Sequence, residues 1–429
     1  MNESNSSMKN IFVFPCGSEI GLEVYRSLNN SIHFSLIGGS SVDDHGKFIY
    51  EDYIGNIPFS TNKTFIERLK EIIIDRKIDI IYPTMDSVIT ILKANEDYLG
   101  CKVVSSSLET VEICMSKKKT YQLLGDIIAT PRIFNDINEI TEYPVFVKPD
   151  IGYGSRGVKK ISHSIELQEV FKKNSELLVM EYLPGKEYTV DCFSNYKNDL
   201  LFFGLRERAR INNGISVNTS NLPLTDDVID FANKINQLLK PNGAWFFQIK
   251  EREDGQIVLM EVASRFGGSS SVFRAKGINF AELSLYNLLE KPVSILENNF
   301  TVILDRALTN KYHLDIHYNH VYIDFDDTLI VHDKVNTKMI SLIYKFINDG
   351  IKIHLITKHE FDLSLTMKKY KIPCEIFDEI IHLHKSDNKS DFINFKDAIF
   401  IDDSFSERLS VYKTHNIPVF GIDIIDCLI

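Results

Sequence analysis

Apolar and polar positions follow three textures along this chain. From Asn10 to Pro15 the run NIFVFP, apolar after its first residue, has the pattern of a buried strand, followed by a glycine turn at Gly17 and a helical stretch, GLEVYRSL. HFSLIGG repeats the strand signal, a helix is predicted from about Asn62 to Arg76, and IDIIYP reads as the next strand. Strands alternating with helices predict a parallel sheet covered by helices, so residues 9 to about 110 read as one α/β unit.

From Ser116 the texture changes. A helix (KKKTYQLLG) runs to a stop at Thr130-Pro131, followed by the strand YPVFVKP, a glycine-rich turn, a helix near 164–173 and the strand LLVMEYL. Period-2 alternation then predicts strands in YTVDCFS, LLFFGLRERARI, AWFFQIK and QIVLMEVASR, an α+β block ending in a helix near 279–289. TNKYHLDIHYNH, 309–320, carries the crossing to the third texture. There VYIDFDDTLI is a strand ending in carboxylates; a helix (336–348), the strand IKIHLIT, a further helix and the strand AIFIDDS follow. That is again an alternating parallel α/β unit. The expected division is 1–112, 113–308, a linker at 309–319, and 320–429.

Composition narrows the function classes. Hydrophobic residues make up 44% and charged residues 25%, a globular balance, and the net charge of −11 argues against nucleic-acid or anionic-membrane partners. A phosphate site in such a chain must supply its positive charge locally. Six cysteines, at 16, 101, 114, 192, 374 and 427, form no Cys-x-x-Cys pair and fit reduced thiols. The polar start MNESNSSMKN has no signal pattern, and no apolar run approaches the roughly 20 residues that span a bilayer. The expectation is a soluble, cytoplasmic protein.

The first candidate site is VFVKPDIGYGSRGV, 145–158. A strand ends in Lys148-Pro149, and the loop after it holds Gly152, Gly154, Ser155 and Gly157. Glycines let backbone N–H groups approach phosphate oxygens, and Lys148 supplies a compact charge. Taken alone, these glycines read as an ordinary hairpin turn. The spacing around them changes the reading. Thirty-three residues after Lys148 stands Glu181, and six further on Glu187; a carboxylate and backbone groups suit an adenine edge, and a second carboxylate suits ribose hydroxyls. Gln248 lies on one strand and Glu261 on the next, oxygen ligands suited to a magnesium ion between phosphates. Arg265, before Gly267-Gly268, suits charge on a transferring phosphoryl group.

In this order and spacing, residues 9 to about 305 resemble the ATP-grasp superfamily, most closely its carbamoyl-phosphate-synthetase-like and carboxylate–amine ligase branches. The resemblance rests also on Ser116-Lys117 before a helix, and on Arg265-Phe266-Gly267-Gly268. It implies that Lys117 and Lys148 bind ATP phosphates, that Glu181 and the backbone around Leu183 hold adenine, that Glu187 holds ribose, and that Gln248 and Glu261 bind Mg2+. It implies acyl-phosphate chemistry on a small-molecule carboxylate and amine, and a homodimer. One departure stands out: where the family commonly reads Glu-x-Asn, this chain reads Glu261-Val262-Ala263. Arg206, Arg208 and Arg210 alternate along one predicted strand; they suit either an acceptor carboxylate or phosphate, or a solvated face paired with acids.

The second candidate site is Asp324-x-Asp326-x-Thr328 at the carboxyl end of a strand. Asp324 suits attack on phosphorus, and Asp326 suits protonation of the leaving group and activation of water. Thr357 ends the next apolar strand, Lys389 opens a predicted helix, with Lys385 its rival, and Asp402 and Asp403 follow AIFI as magnesium ligands. This order resembles the haloacid-dehalogenase superfamily, in which Asp324 and Asp326 also serve the metal. It implies a phosphatase acting on a phosphorylated substrate. Only 28 residues separate Thr328 from Thr357, enough for one helix and one strand, which leaves little room for a cap domain. His313, His317, His320 and His332 read as solvated linker histidines, His359 lies close to Thr357, and Trp245 reads as core.

The fold expected is therefore α/β throughout: an N-terminal pre-ATP-grasp α/β domain, an α+β ATP-grasp domain, and a Rossmannoid, capless haloacid-dehalogenase-like domain.

Overall fold

The computed structural model describes residues 8–152, 157–174, 176–212, 214–309, 312 and 314–429. Gly154, Ser155 and His313 lie outside them. The chain divides into two compact units, residues 1–308 and 309–429.

The first unit opens with strands β1 (Lys9–Phe14), β2 (Phe34–Gly39), β3 (Asp52–Ile54), β4 (Ile80–Pro83) and β5 (Lys102–Val103). They form a parallel sheet in the order β3-β2-β1-β4-β5. From Ile11 onward β1 is apolar because alternate residues serve two cores. Phe12 and Phe14 pack with Phe65, Leu69 and Leu92. Ile11 and Val13 pack in a core that also contains Tyr82, Phe266, Phe273, Phe280 and Leu285. The expected boundary near 112 therefore does not separate two bodies: the first sheet and residues beyond 260 share one apolar core.

A second sheet comprises β6 (Ile133–Phe134), β7 (Val145–Lys148), β8 (Lys159–Ile161) and β9 (Leu178–Glu181), antiparallel in the order β6-β9-β7-β8. A third comprises β10 (Glu187–Ser194), β11 (Leu200–Glu207), β12 (Arg210–Asn212), β13 (Ile215–Leu222), β14 (Gly243–Glu251), β15 (Ile257–Ala263) and β16 (Ile303–Asp305). Its order is β12-β13-β11-β10-β14-β15, with β16 on β13. The helix Asp226–Leu239 covers it, burying Val228, Phe231, Ile235 and Leu239 against Trp245 and Phe247. Trp245 is fully buried, and its indole donates to Ser194 Oγ at 2.8 Å. The predicted strand LLFFGLRERARI is two strands, Leu200–Glu207 and Arg210–Asn212, interrupted at Arg208-Ala209.

The second unit holds β17 (His320–Ile323), β18 (Ile330–Val331), β19 (Lys334–Val335), β20 (Lys352–Thr357), β21 (Glu379–His382), β22 (Ala398–Ile401) and β23 (Val419–Phe420). Five strands run parallel in the order β21-β20-β17-β22-β23, and β18-β19 is a separate small hairpin. Helix Thr337–Asn348 buries Met339, Leu342, Ile343 and Phe346 with Val321, Ile323 and Ile401 on one side of the sheet. Tyr322, Ile356, Phe400 and Val411 pack on the other. Lys389 does not open an α-helix; it begins a short 3-10 turn, Lys389–Phe392, and its side chain is buried. Among the described residues no helix is long and apolar enough to cross a membrane.

Candidate active sites

In the first unit the strand pairing sets the chemistry. β14 and β15 place Gln248 directly opposite Glu261, with a register shift after Gln248. Both residues line a cavity of about 150 Å³ together with Lys117, Lys148, Glu187 and Arg208. Lys148 ends β7 and is only 4% exposed. Its ammonium donates to the Tyr121 hydroxyl at 2.9 Å and to the Met260 carbonyl at 3.4 Å, neither of them charged. Tyr121 is fixed in turn by donating to Met260 O at 2.6 Å. Burial drives the Lys148 pKa down to about 8, with Glu261 opposing the fall and Lys117 adding to it.

Lys117 is the first residue of the helix Lys117–Leu124, capped by Ser116. Its Nζ donates to the Asp150 carbonyl at 3.2 Å and the Gly152 carbonyl at 3.3 Å. The Asp150 carboxylate accepts from Ser116 Oγ at 2.8 Å and from the Lys118 N–H at 2.7 Å. The helix start is thus tied to the loop after β7. Gly157 has φ +72°, a conformation that favours glycine. The Glu181 carboxylate is held by Arg252, at 2.7 and 3.2 Å, and by the Arg132 N–H at 2.9 Å, while Leu183 is buried. Glu187 pairs with Arg208 at 2.8 Å and lies 3.7 Å from Lys250.

A second cavity, of about 410 Å³, shares Lys117, Gly152, Arg208, Gln248 and Glu261 with the first. Gln248 and Glu261 therefore stand where the two meet. Ser18, Glu19 and Asp86, which follow strands of the first sheet, form one wall of it, and Arg206 and Arg265 face the same space. Arg265 donates to Asp86 at 2.6 Å and lies over the Phe246 ring at 5.4 Å; its Nε is buried without a hydrogen-bond partner. Arg206 is buried against Asp191 at 2.5 Å. A Cβ on Gly267 would lie 2.8 Å from Arg206 Nη2 and 3.2 Å from Asp191, so this pair requires glycine there. Of the three alternating arginines, Arg206 and Arg208 line the cavity, whereas Arg210 is an exposed partner of Asp305 at 2.8 Å. Ala263 also faces the cavity.

A family model described as ATP-grasp in the biosynthetic pathway with Ter operon matches residues 173–309. Over 100 residues, 23% of this chain, the sequence is 32% identical to a D-alanine–D-alanine ligase of Fusobacterium nucleatum subsp. nucleatum. These matches show a likeness to ATP-grasp proteins within the first unit. The fold is also similar to that of two solved structures. One is an L-amino acid ligase from Bacillus licheniformis, 18% identical, with a TM-score of 0.54, covering 67% of this chain and 75% of that one. The other is the biotin carboxylase domain dimer of the Hydrogenobacter thermophilus 2-oxoglutarate carboxylase, in complex with MgADP, ADP and bicarbonate. It is 14% identical, with a TM-score of 0.58, covering 69% of this chain and 73% of that one. The chain spans about a third of the length of the curated relatives it matches, 35% and 38% for D-alanine–D-alanine ligases of Fusobacterium nucleatum and Thermotoga petrophila.

The second unit gathers its carboxylates where β17 and β22 end side by side. Oxygens of Asp324, Asp402 and Asp403 lie within 4.8 Å of one another. Lys389 bridges two of them, at 2.6 Å from Asp324 and 2.7 Å from Asp402. Burial raises the Asp324 carboxyl to about 7 against the pull of Lys389, and burial raises Asp402 as well. Burial alone would lower Lys389; Asp324 and Asp402 together outweigh it and hold the ammonium above its ordinary value. Thr328 Oγ1 accepts from the Asp403 N–H at 3.0 Å, tying the first acidic turn to the second. Thr357 is fully buried, and its Oγ1 accepts from the His359 N–H at 3.2 Å. Lys385, the rival to Lys389, is exposed and pairs with Glu360.

Asp326 is not part of this carboxylate cluster. Its half-exposed carboxylate meets His359 Nδ1 at 2.9 and 3.0 Å. Motif reading singled out neither that contact nor the Tyr121, Arg252 and Asp191 pairings. The only sequence signal for them was the adjacency of His359 to Thr357 and the arginine alternation.

Proposed function

We propose that residues 1–308 form an ATP-dependent ligase joining a small carboxylate to an amine, and that residues 309–429 form a magnesium-dependent phosphatase. One observation carries the first half: a buried lysine with no acid in contact stands beside the Gln248–Glu261 oxygen pair, where two cavities meet. ATP phosphates lie at Lys117 and Lys148, ribose at Glu187, and adenine along the backbone around Leu183, with the Glu181 carboxylate kept in place by Arg252. Gln248 and Glu261 supply adjacent oxygens of the kind Mg2+ takes. The larger cavity holds the acceptor, where Arg206, Arg208 and Arg265 offer guanidinium groups to its anionic end. The acceptor carboxylate attacks the γ-phosphorus and ADP leaves. The amine then attacks the acyl carbon and phosphate leaves.

In the second unit the three clustered carboxylates fit one Mg2+. Asp324 attacks phosphorus, the ester oxygen leaves with its electron pair, and water later attacks the phosphorus to free Asp324. Lys389 fixes Asp324 and balances charge. The partners in this reading are small molecules, a carboxylate, an amine and a phosphorylated compound; a homodimer is the assembly to test.

Ala263 favours a second reading, because this cavity wall has no side-chain oxygen at that position. In it, the grasp binds ATP as a regulatory or scaffolding element and only the phosphatase turns over. ADP and phosphate release from ATP and magnesium, with pools of acids and amines, separates the two. An acid–amine pair should raise ADP release in wild type and in Asp324→Asn, but not in Glu261→Ala. If no pool raises ADP while Asp324-dependent ester hydrolysis persists, the ligase reading fails.

A further inference from the structure

The strongest unused group in the second unit is His359. Its side chain is 8% exposed, yet both ring nitrogens have partners. Nδ1 faces the Asp326 carboxylate, as described, and Nε2 lies 2.9 Å from Thr366 Oγ1. Thr366 donates its hydroxyl proton to the Asp362 carbonyl at 3.0 Å. The ring therefore bridges Thr366 and the Asp326 carboxylate. The ring cannot swing away: Phe325 and Phe361 meet it edge-on at 5.4 and 5.7 Å, and the His359 carbonyl lies 2.8 Å from His382 Nε2.

We propose that His359 is a positioning residue that holds Asp326 where it can serve the leaving oxygen. The proposal rests on the phosphatase reading. As Asp324 bonds to phosphorus and the ester P–O bond breaks, Asp326, held by His359, gives a proton to the departing oxygen. In the second step the attacking water gives a proton back to Asp326. The P–O bond to Asp324 breaks, and the carboxylate is restored. No external acid, base or redox partner enters.

The test compares an alkyl phosphate, glycerol phosphate, with p-nitrophenyl phosphate, whose leaving group departs without an acid. It uses the full chain with magnesium. His359→Leu is expected to lower kcat on glycerol phosphate by roughly 10²-fold, the scale of a positioned acid, and on p-nitrophenyl phosphate by less than ~3-fold. His359→Asn, which keeps a donor near Nδ1, is expected to recover part of the glycerol phosphate rate. Thr366→Val, which leaves the ring in place, is expected to show the same substrate bias at smaller size. Equal losses on both esters, in a variant with the wild-type melting transition, overturn the proposal and leave the phosphatase reading intact. If His359→Leu melts early, Thr366→Val decides: the absence of substrate bias in it overturns the proposal. The lack of any Asp324-dependent turnover in wild type overturns both.

Discussion

Two buried lysines mark the two sites, and they are held in opposite ways. Lys148 and Lys389 are each 4% exposed. Lys389 lies between two carboxylates, which hold its proton against desolvation. Lys148 meets a phenol hydroxyl and a peptide carbonyl, and its pKa falls to about 8. The same side chain at the same depth is a closed structural cation in one unit and an open one in the other. A cation closed by the protein's own acids fixes a nucleophile; an open one suits a ligand that brings its own negative charge.

The comparison breaks first at Lys389. Lys389→Met leaves Asp324 and Asp402 facing each other without a cation, and should destabilise the second unit by about 3–5 kcal/mol. Denaturant unfolding followed in the full chain measures it, and a change under ~1 kcal/mol would remove the contrast. The matching Lys148→Met change should do the reverse: leave the first unit unchanged or stabilise it by about 1 kcal/mol, because an uncompensated cation is replaced by apolar atoms of similar length. The same variant should raise the KM for ATP at least ~10-fold, the scale of a lost charge-assisted contact. Loss of stability together with an unaltered KM would make Lys148 a structural residue.

A subtler test uses pH. The folded-state pKa of Lys148 lies below its ordinary 10.5, so between about 8 and 10.5 the unfolded chain binds the proton and the native chain does not. Its contribution to stability therefore rises with pH through that window, and Lys148→Met should abolish that slope. ATP binding should weaken as pH climbs past about 8, in a titration of affinity against pH. The smallest effect is expected from Gly267→Ala. Its methyl would press on the Arg206–Asp191 pair and cost roughly 1–2 kcal/mol, visible as a lowered melting temperature.

How far the sequence led differs by kind of contact. Lys148, Asp324 and Asp402 end strands, so the apolar run before each one placed it at a sheet edge. What stayed hidden depends on partners far along the chain. Arg252 reaches Glu181 across 71 residues and Arg265 reaches Asp86 across 179. No local pattern encodes such a pair; strand order brings it together. Helix Asp226–Leu239 carries an apolar face that could have been read from spacing alone: Val228, Phe231, Ala232, Ile235 and Leu239 recur at helical intervals.

The core shared by Ile11, Val13 and Tyr82 with Phe280 and Leu285 has a consequence for biosynthesis. The first five strands are complete once Val103 has been made, yet the helix Phe280–Leu288 that covers their inner face is encoded about 180 residues later. At ~5–20 residues per second, that face waits roughly 10–40 s on the ribosome before its cover arrives. The nascent chain is most exposed to aggregation in that interval, and a fragment ending near residue 112 would carry the same uncovered surface permanently.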